Sequence, residues 1–431
     1  MSNSTPCRSD SPLQGSGARW IILALLGAVS TISYIERVCI SVMSPLIMQD
    51  LSLDQPRMGQ VFSAFLLGYS LFQYWSGSLA DRLGSRRVLA WAMLGWGVLT
   101  VVTATIEAPF IVATVGSFAA LLAVRFVFGI TESPTYPTSS RVVSSWFRGT
   151  EQARAWSVPC IGMGLGSAIA PPVVARLMLA WGWKQALLML SAPAFLLAAI
   201  WGRIGGDKPG WNSTQPAAAS KRSEPSVLRN RNAWILTASY FLNNYVSYVF
   251  VFWFFPYLVQ VRKFDILESS WLATAPWILT IILSPLGGSM SDWLIRRFGD
   301  IRGRRGLPIV SMIVAAALLW LGAQEANAYL AVLELTLCEG IIMFVDPVYW
   351  ATAMKIAPDS SGRSGGMINM GGNLGGFVSA SLTPWVAARI GWLGSLRFTA
   401  ALSVAAALSW FAIRTRPETT AAVPTPASDL L

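Results

Sequence analysis

Histidine is absent from this 431-residue chain, cysteine occurs four times, and charged residues make up only 12%. A soluble globular domain carries about twice that share of charge. With no histidine, and with Cys7, Cys39, Cys160 and Cys338 scattered widely, neither a metal centre nor a disulfide framework is expected. The same shortage leaves no nucleophile with a base beside it, so a membrane-embedded enzyme is the weaker expectation, and no cofactor is called for. The first eighteen residues are polar, hold no apolar h-region and lead into a run without a small-residue cleavage motif, so the first helix is expected to be retained.

What the chain has in excess is apolar surface, with 54% hydrophobic residues. Apolar runs of roughly 20 residues recur along it, the length that a rise of about 1.5 Å per residue needs to cross a hydrocarbon core of about 30 Å. They predict helices over 19–46, 58–80, 88–106, 110–142, 154–179 and 184–202, then 233–261, 268–293, 307–325, 327–354, 363–388 and 392–413. The expected fold is an all-α membrane protein of twelve transmembrane helices in two pseudo-symmetric six-helix bundles. Residues 1–18 form a tail, 19–202 the first bundle, 203–232 a polar linker, 233–414 the second bundle and 415–431 a disordered tail rich in Pro, Ala and Thr.

A net charge of +11 would suit a nucleic-acid partner if it covered one soluble face, but here it marks alternate connections. Of the 32 Lys and Arg, 23 fall in the termini and even-numbered connections. Six fall on the other side (Arg57, Arg176, Lys184, Arg262, Lys263, Arg389), and three lie within helices. Positive charge stays on the cytoplasmic side, so both termini are expected inside, in a multi-pass protein of the inner membrane whose partners are lipid and a small solute.

The halves repeat each other. Gly77, Asp81, Arg82, Gly84, Arg86 and Arg87 follow the second helix, and Gly288, Asp292, Arg296, Arg297, Arg304 and Arg305 follow the eighth. Gly162, Gly164, Gly166 and Pro171 in the fifth helix correspond to Gly371, Gly372, Gly375, Gly376 and Pro384 in the eleventh. The GMGLG run at 162–166 follows no strand, so it reads as close helix contact rather than a phosphate loop. Paired repeats of this kind hold solutes near the midplane where the halves meet.

Ionisable side chains at bilayer depth cost roughly 2.5 kcal/mol or more even on the lenient insertion scale, so each needs a partner or an aqueous cavity. The first half holds Glu36, Arg37, Arg125 and Glu132. Tyr34, Arg37 and Ser41 share one helical stripe, with Glu36 turned about 100° away. A guanidinium fork suits a carboxylate, which makes Arg37 the candidate anion anchor, with Arg125 neutralising Glu36 or Glu132. A static ion cluster locking helices one and four is the plain alternative. Tyr69 and Gln73 sit one turn apart on helix two, where interhelical hydrogen bonding is the alternative role. Helix seven adds Asn243, Asn244, Tyr245 and Tyr248, and helix ten Tyr349 and Trp350. Helix ten also carries Glu334, Glu339 and Asp346, possible extra protonation sites with Arg397 as a partner, or acids facing a vestibule without function.

At GSLADRLGSRR, residues 77–87, the chain resembles the major facilitator superfamily. YIERVCISVMSPLI at 34–47, FSAFLLGYSLFQ at 62–73, RFVFGITESPTYPTSSRVVSSWF at 125–147 and GGMINMGGNLGG at 365–376 resemble its anion:cation symporter family, which includes bacterial galactonate, glucarate and hexuronate transporters and sialin-like proteins. The resemblance implies uptake of a small organic anion, often a sugar acid, by proton symport and alternating access, without excluding Na+, in a protein that works as a monomer. It makes Glu36, Glu132 and Arg125 the coupling group and Arg37 the anion anchor. Tyr34, Tyr69, Gln73, Asn244, Tyr245, Trp350 and Asn373 would border the substrate. It places a cytoplasmic gate at Gly77, Asp81, Arg82, Gly84, Arg86, Arg87 and Asp292, with Asp81 against a helix N-terminus near Ser360 and Ser361. Two departures stand out. Met163 occupies a place where sugar-acid members carry Gln, and Glu36 one where Asp is common. A thioether in place of an amide removes a hydroxyl-reading group and points to a less hydroxylated carboxylate. An exchanger or efflux carrier on the same fold is the rival expectation; an enzyme or receptor is weaker.

Overall fold

Helix ends follow from capping and from prolines and glycines. In this computed structural model, which describes residues 17–107, 116–147, 151–208, 227–356 and 361–413, the Asp54 carboxylate caps the second helix by accepting from the Arg57 N–H at 2.9 Å. Asp265 does the same for a later helix, accepting from Glu268 N–H at 2.8 Å. Both hold backbone donors that a helix start leaves unpaired. The elements are α1 (Ala18–Asp50), α2 (Gln55–Leu83), α3 (Ser85–Ala104), α4 (Ser117–Glu132), α5 (Thr135–Trp146) and α6 (Glu151–Ile204). After a 3-10 turn come α7 (Arg231–Phe252), α8 (Phe254–Gln260), α9 (Ile266–Phe298), α10 (Asp300–Gln324), α11 (Ala328–Ile356) and α12 (Ser361–Ser409).

Among the described residues there is no strand, and nine helical stretches are long and apolar enough to cross a membrane. Two of them, Ala155–Ile204 and Ser364–Ser409, run to 50 and 46 residues, about twice the length one crossing needs. Each breaks at a glycine of positive φ: Gly182 (φ 80°, ψ 162°) and Gly391 (φ 76°, ψ 167°). A side chain there would strain the backbone, whereas glycine adopts this conformation without steric cost.

Two expected continuous helices are interrupted. The run over 110–142 breaks between α4 and α5 at Ser133 and Pro134, and the run over 233–261 breaks between α7 and α8 at Trp253. Proline has no N–H to give the carbonyl four residues back. Pro134 therefore frees the Ile130 carbonyl, which the Ser133 hydroxyl takes at 2.8 Å. In a bilayer such a carbonyl must find a donor inside the protein.

Helix α1 packs on α6, and α7 on α12; α2 crosses to α12 and α6 to α9. The first two contacts are close because glycines line them. A Cβ on Gly166 would sit 2.4 Å from the Thr31 carbonyl oxygen, and one on Gly375 2.2 Å from that of Phe241. The glycines singled out in the sequence thus bring backbones together, as small residues do in membranes.

At the end of the molecule where the described residues begin at Gly17 and finish at Ile413, Asp207 accepts from Ser85 Oγ at 2.7 Å and pairs with Arg141 at 3.2 Å, while Arg86 Nε donates to the Gly205 carbonyl at 2.7 Å. Asp300 holds Arg304 at 3.1 Å and Lys355 at 2.8 Å in the corresponding place of the second half. Gly84 has φ 80° at the α2 to α3 turn, and Asp292 and Arg82 are exposed. Gly77, Asp81, Ser360 and Ser361, which carry the expected gate contact, lie outside the described residues and side chains, as do the expected disordered tail and most of the linker.

Candidate functional site

The buried charges meet where α1, α2 and α4 converge. Arg37 is 3% exposed and Glu132 0%. Arg37 Nη2 donates to Glu132 Oε1 at 3.0 Å, and the Ser33 hydroxyl donates to the same oxygen. Glu132 is the last residue of α4, so the break at Pro134 places its carboxylate at a helix end. The guanidinium lies 4.7 Å from the ring centroids of both Tyr34 and Tyr69 and 5.1 Å from that of Phe65. Aromatic faces stabilise a cation that has left water, so this cage holds the charge in place while leaving its N–H groups free to bond. Arg37 Nε, Glu132 Oε2 and the Tyr136 hydroxyl are buried without a hydrogen-bond partner among the described residues. A cluster with unused donors and acceptors in a dry site is poised for a polar ligand, since each unmet group costs about 1–3 kcal/mol.

Glu36 points elsewhere, as its 100° offset requires, and Thr100 Oγ1 donates to its Oε2 at 3.1 Å. Arg125 lies over Phe128 at 4.5 Å and Phe65 at 5.5 Å, close enough to Glu36, Glu132 and Cys39 to act on them electrostatically. In this state Arg37, rather than Arg125, is the partner of Glu132.

Polar side chains continue from this cluster into the second half. Gln73 Nε2 donates to the Tyr69 hydroxyl at 3.4 Å, and its Oε1 accepts from Asn369 Nδ2 at 3.0 Å. Asn373 Nδ2 donates to the Asn369 carbonyl at 3.0 Å, and Asn373 Oδ1 accepts from the Tyr248 hydroxyl at 3.2 Å. On the far wall Tyr240 donates to Asp346 Oδ1 at 2.8 Å, Trp350 Nε1 donates to Tyr240 at 3.2 Å, and Asn244 Nδ2 donates to the Tyr240 carbonyl at 3.0 Å.

Some expected members stand apart. Tyr245 bonds Thr383 at 3.1 Å and packs edge-on against Phe398, on another face of α7. Glu339 is fully buried and accepts from Ser247 at 2.7 Å. Tyr349 bonds Ser239 at 2.8 Å inside the second half. Arg397 is not the partner expected for the helix-ten acids: it donates to Gln324 at 3.1 Å and stacks on Trp320 at 4.6 Å, on an exposed face. Four contributors were missed, namely Ser33, Tyr136, Tyr240 and Asn369. Asn369 lies one turn before Asn373, a spacing that would have revealed it. No group of His, Cys, Asp or Glu that would hold a metal occurs among the described residues.

The model of the Major Facilitator Superfamily matches residues 26–380. A probable sulfoacetate transporter of Cupriavidus necator is 31% identical over 389 residues, 86% of this chain and 88% of that protein. The hexuronate transporter of Bacillus subtilis is 26% identical, covering 91% and 92%. A probable galactarate/D-glucarate transporter of Escherichia coli is 27% identical, covering 92% and 94%. Among solved structures, a bacterial homologue of the human lysosomal transporter Spinster, inward-facing and occupied, superposes with a TM-score of 0.80 at 17% identity, over 93% of this chain and 97% of that one. A D-xylose-proton symporter does so with 0.73 at 16% identity, over 93% and 99%. Long apolar helices, paired glycine breaks and this match over most of the chain agree: the protein belongs to the Major Facilitator Superfamily, as a multi-pass transporter of the inner membrane and not an enzyme.

Proposed function

We propose that the protein imports a small organic anion by proton symport with alternating access, working as a monomer. The anion class is supported by relatives named for sulfoacetate, hexuronate and galactarate or glucarate. The buried Arg37–Glu132 pair carries the reading. An entering anion competes with Glu132 for the guanidinium. The displaced carboxylate, left in a dry site without its cation, is neutralised by taking up a proton, so anion and proton load together. Glu36 and Arg125 form the adjoining pair through which that proton is exchanged. Gln73, Asn369, Asn373 and Tyr248 supply donors and acceptors to the body of the substrate and link the halves that must rock. Proton is the coupling ion of this scheme, with Na+ its competitor in the test.

The reading takes twelve crossings, six in 19–202 and six in 233–414, joined by 203–232, with both termini cytoplasmic. Among the described residues, nine candidate spans, two of them broken at glycine into two crossings each, supply eleven crossings and the 29-residue α2 a twelfth, and the distribution of Lys and Arg supports the orientation.

The test is uptake into proteoliposomes with an imposed pH gradient, using labelled organic acids. Accumulation that is collapsed by a protonophore, unaffected by removing Na+ and lost in Arg37→Ala is the expected result. Substrate counterflow with no proton movement would make the protein an exchanger instead.

A further inference from the structure

Across from Arg37, the second half presents an acid with no cation paired to it among the described side chains. Asp346 on α11 is half-buried, accepts from Tyr240, and has no ion-pair partner among the described residues. Trp350 fixes the tyrosine by donating to its hydroxyl at 3.2 Å and by packing edge-on at 6.3 Å. Tyr240, which Asp346 holds, shares one face of α7 with Asn244 and Tyr248 at four-residue spacing, and Tyr248 donates to Asn373 Oδ1 at 3.2 Å. Asn373 bonds to Asn369, Asn369 donates to Gln73, and Gln73 donates to Tyr69, one of the rings that carry the Arg37 guanidinium. The carboxylate therefore stands at the far end of the polar chain of side chains that starts at the anion anchor.

Among the described side chains no lysine or arginine pairs with it to hold a second anionic charge. The lysines and arginines of α7, α9, α10 and α11 sit in the first two turns or the last turn. On α12, Arg363 is in the first turn, Arg389 adjoins the Gly391 break and Arg397 is tied to Gln324. The Tyr240 hydroxyl, donating to Asp346 and itself held by Trp350, favours the ionised carboxylate, unlike a Glu132 stripped of its cation. An anionic group placed against this wall therefore meets a like charge, while a hydroxyl or ammonium group meets an acceptor.

We propose that this asymmetry sets the charge of the substrate: Arg37 takes a single anionic group, Asp346 takes a hydrogen-bond-donating end, and dianions are rejected. The inference rests on Arg37 as the anion anchor and goes beyond it, because it separates this protein's substrate from sugar diacids and sulfoacetate, the dianions for which relatives are named.

The test is isothermal titration of the purified full-length protein at neutral pH with matched pairs: gluconate against glucarate, and 2-hydroxyethanesulfonate or 2-aminoethanesulfonate against sulfoacetate, with ethanesulfonate as the donor-free control. The donor-bearing ligand with a single anionic group is expected to bind at least about tenfold more tightly than its dianion, and more tightly than the control. Asp346→Asn keeps the shape and an acceptor for Tyr240, and is expected to bring the ratio within about threefold by improving dianion binding. The order of the hydroxyl and amino sulfonates tells which donor is preferred. A wild-type protein that binds the dianion as tightly as the monoanion overturns the proposal, and this comparison stands even if the variant does not fold. A ratio unchanged in Asp346→Asn overturns it too. Binding of no anion of either charge, or binding indifferent to Arg37→Ala, would instead remove the anchor reading and this one with it.

Discussion

Ser41 on α1 donates its hydroxyl, at 2.7 Å, to the Phe252 carbonyl of α7, the very carbonyl that Pro256 leaves without a helical donor. The same device recurs in the other direction. Thr274 of α9 donates at 2.9 Å to the Ala168 carbonyl of α6, which Pro172 has freed. Prolines that bend these helices thus create acceptors that the opposite half satisfies. These bonds, with Gln55–Gln260 at 2.7 Å and Ser63–Ser381 at 2.6 Å, join the two halves on the side away from Gly17 and Ile413.

Ser41→Ala should leave that carbonyl unpaired in the closed state. The expected cost is about 1 kcal/mol, the scale of an interhelical hydrogen bond in a membrane. It is read as a lower unfolding temperature in detergent together with faster labelling of cysteines introduced on that side. Unchanged stability and labelling would mean that the bond holds nothing closed.

Arg37→Lys keeps the charge but loses the planar fork and the stacking on Tyr34 and Tyr69. Anion affinity should fall by about tenfold or more, because a point charge on a flexible stem replaces a caged bidentate donor. Titration calorimetry checks this. Equal affinity would show that net charge, not geometry, recruits the substrate.

Glu132→Gln mimics the protonated carboxyl and releases Arg37 from its ion pair. Anion binding should survive or tighten, counterflow should persist, and accumulation driven by a pH gradient should disappear. Binding should also lose its dependence on pH, since the group that exchanges the proton is gone. Retained accumulation would move the coupling site to Glu36.

Cys160 is exposed, whereas Cys39 and Cys338 are buried. A charged methanethiosulfonate should therefore modify Cys160 and block transport, with protection by substrate and resistance in Cys160→Ser. Full activity after stoichiometric labelling would place Cys160 outside the translocation path.

Gly166→Leu should prevent α1 and α6 from approaching, since even a Cβ there would lie 2.4 Å from the Thr31 carbonyl oxygen. Overpacking of this kind costs about 1–3 kcal/mol in a soluble core. The variant should show reduced membrane expression and a lower unfolding temperature; wild-type values would argue that the contact is not limiting.

Much of the site was legible because burying charge in a bilayer is expensive, so Glu36, Arg37, Arg125 and Glu132 announced themselves. Spacing also separated Glu36 from the Arg37 stripe, and Thr100, rather than the Arg37 cluster, is what Glu36 meets. Tyr245 shows the limit. Helical periodicity within one helix ranks it with Tyr248, yet Thr383 and Phe398 claim it. Ser33, Tyr136, Tyr240 and Asn369 carry no charge and cost little to bury when bonded, so nothing in their type marks them out.

The sequence by itself determined that this chain spans a membrane, where its long helices lie, that its halves repeat and which charges are costly enough to need partners, because hydropathy, glycine and proline act locally. Which of those charges pair was decided only by the tertiary structure. Whether Glu132 meets Arg37 or Arg125, whether Arg397 reaches Asp346 or Gln324, and that Ser41 meets the Phe252 carbonyl all depend on the rotation and depth at which separate helices pack. Those variables are set by contacts between residues far apart in the chain, which no local pattern encodes.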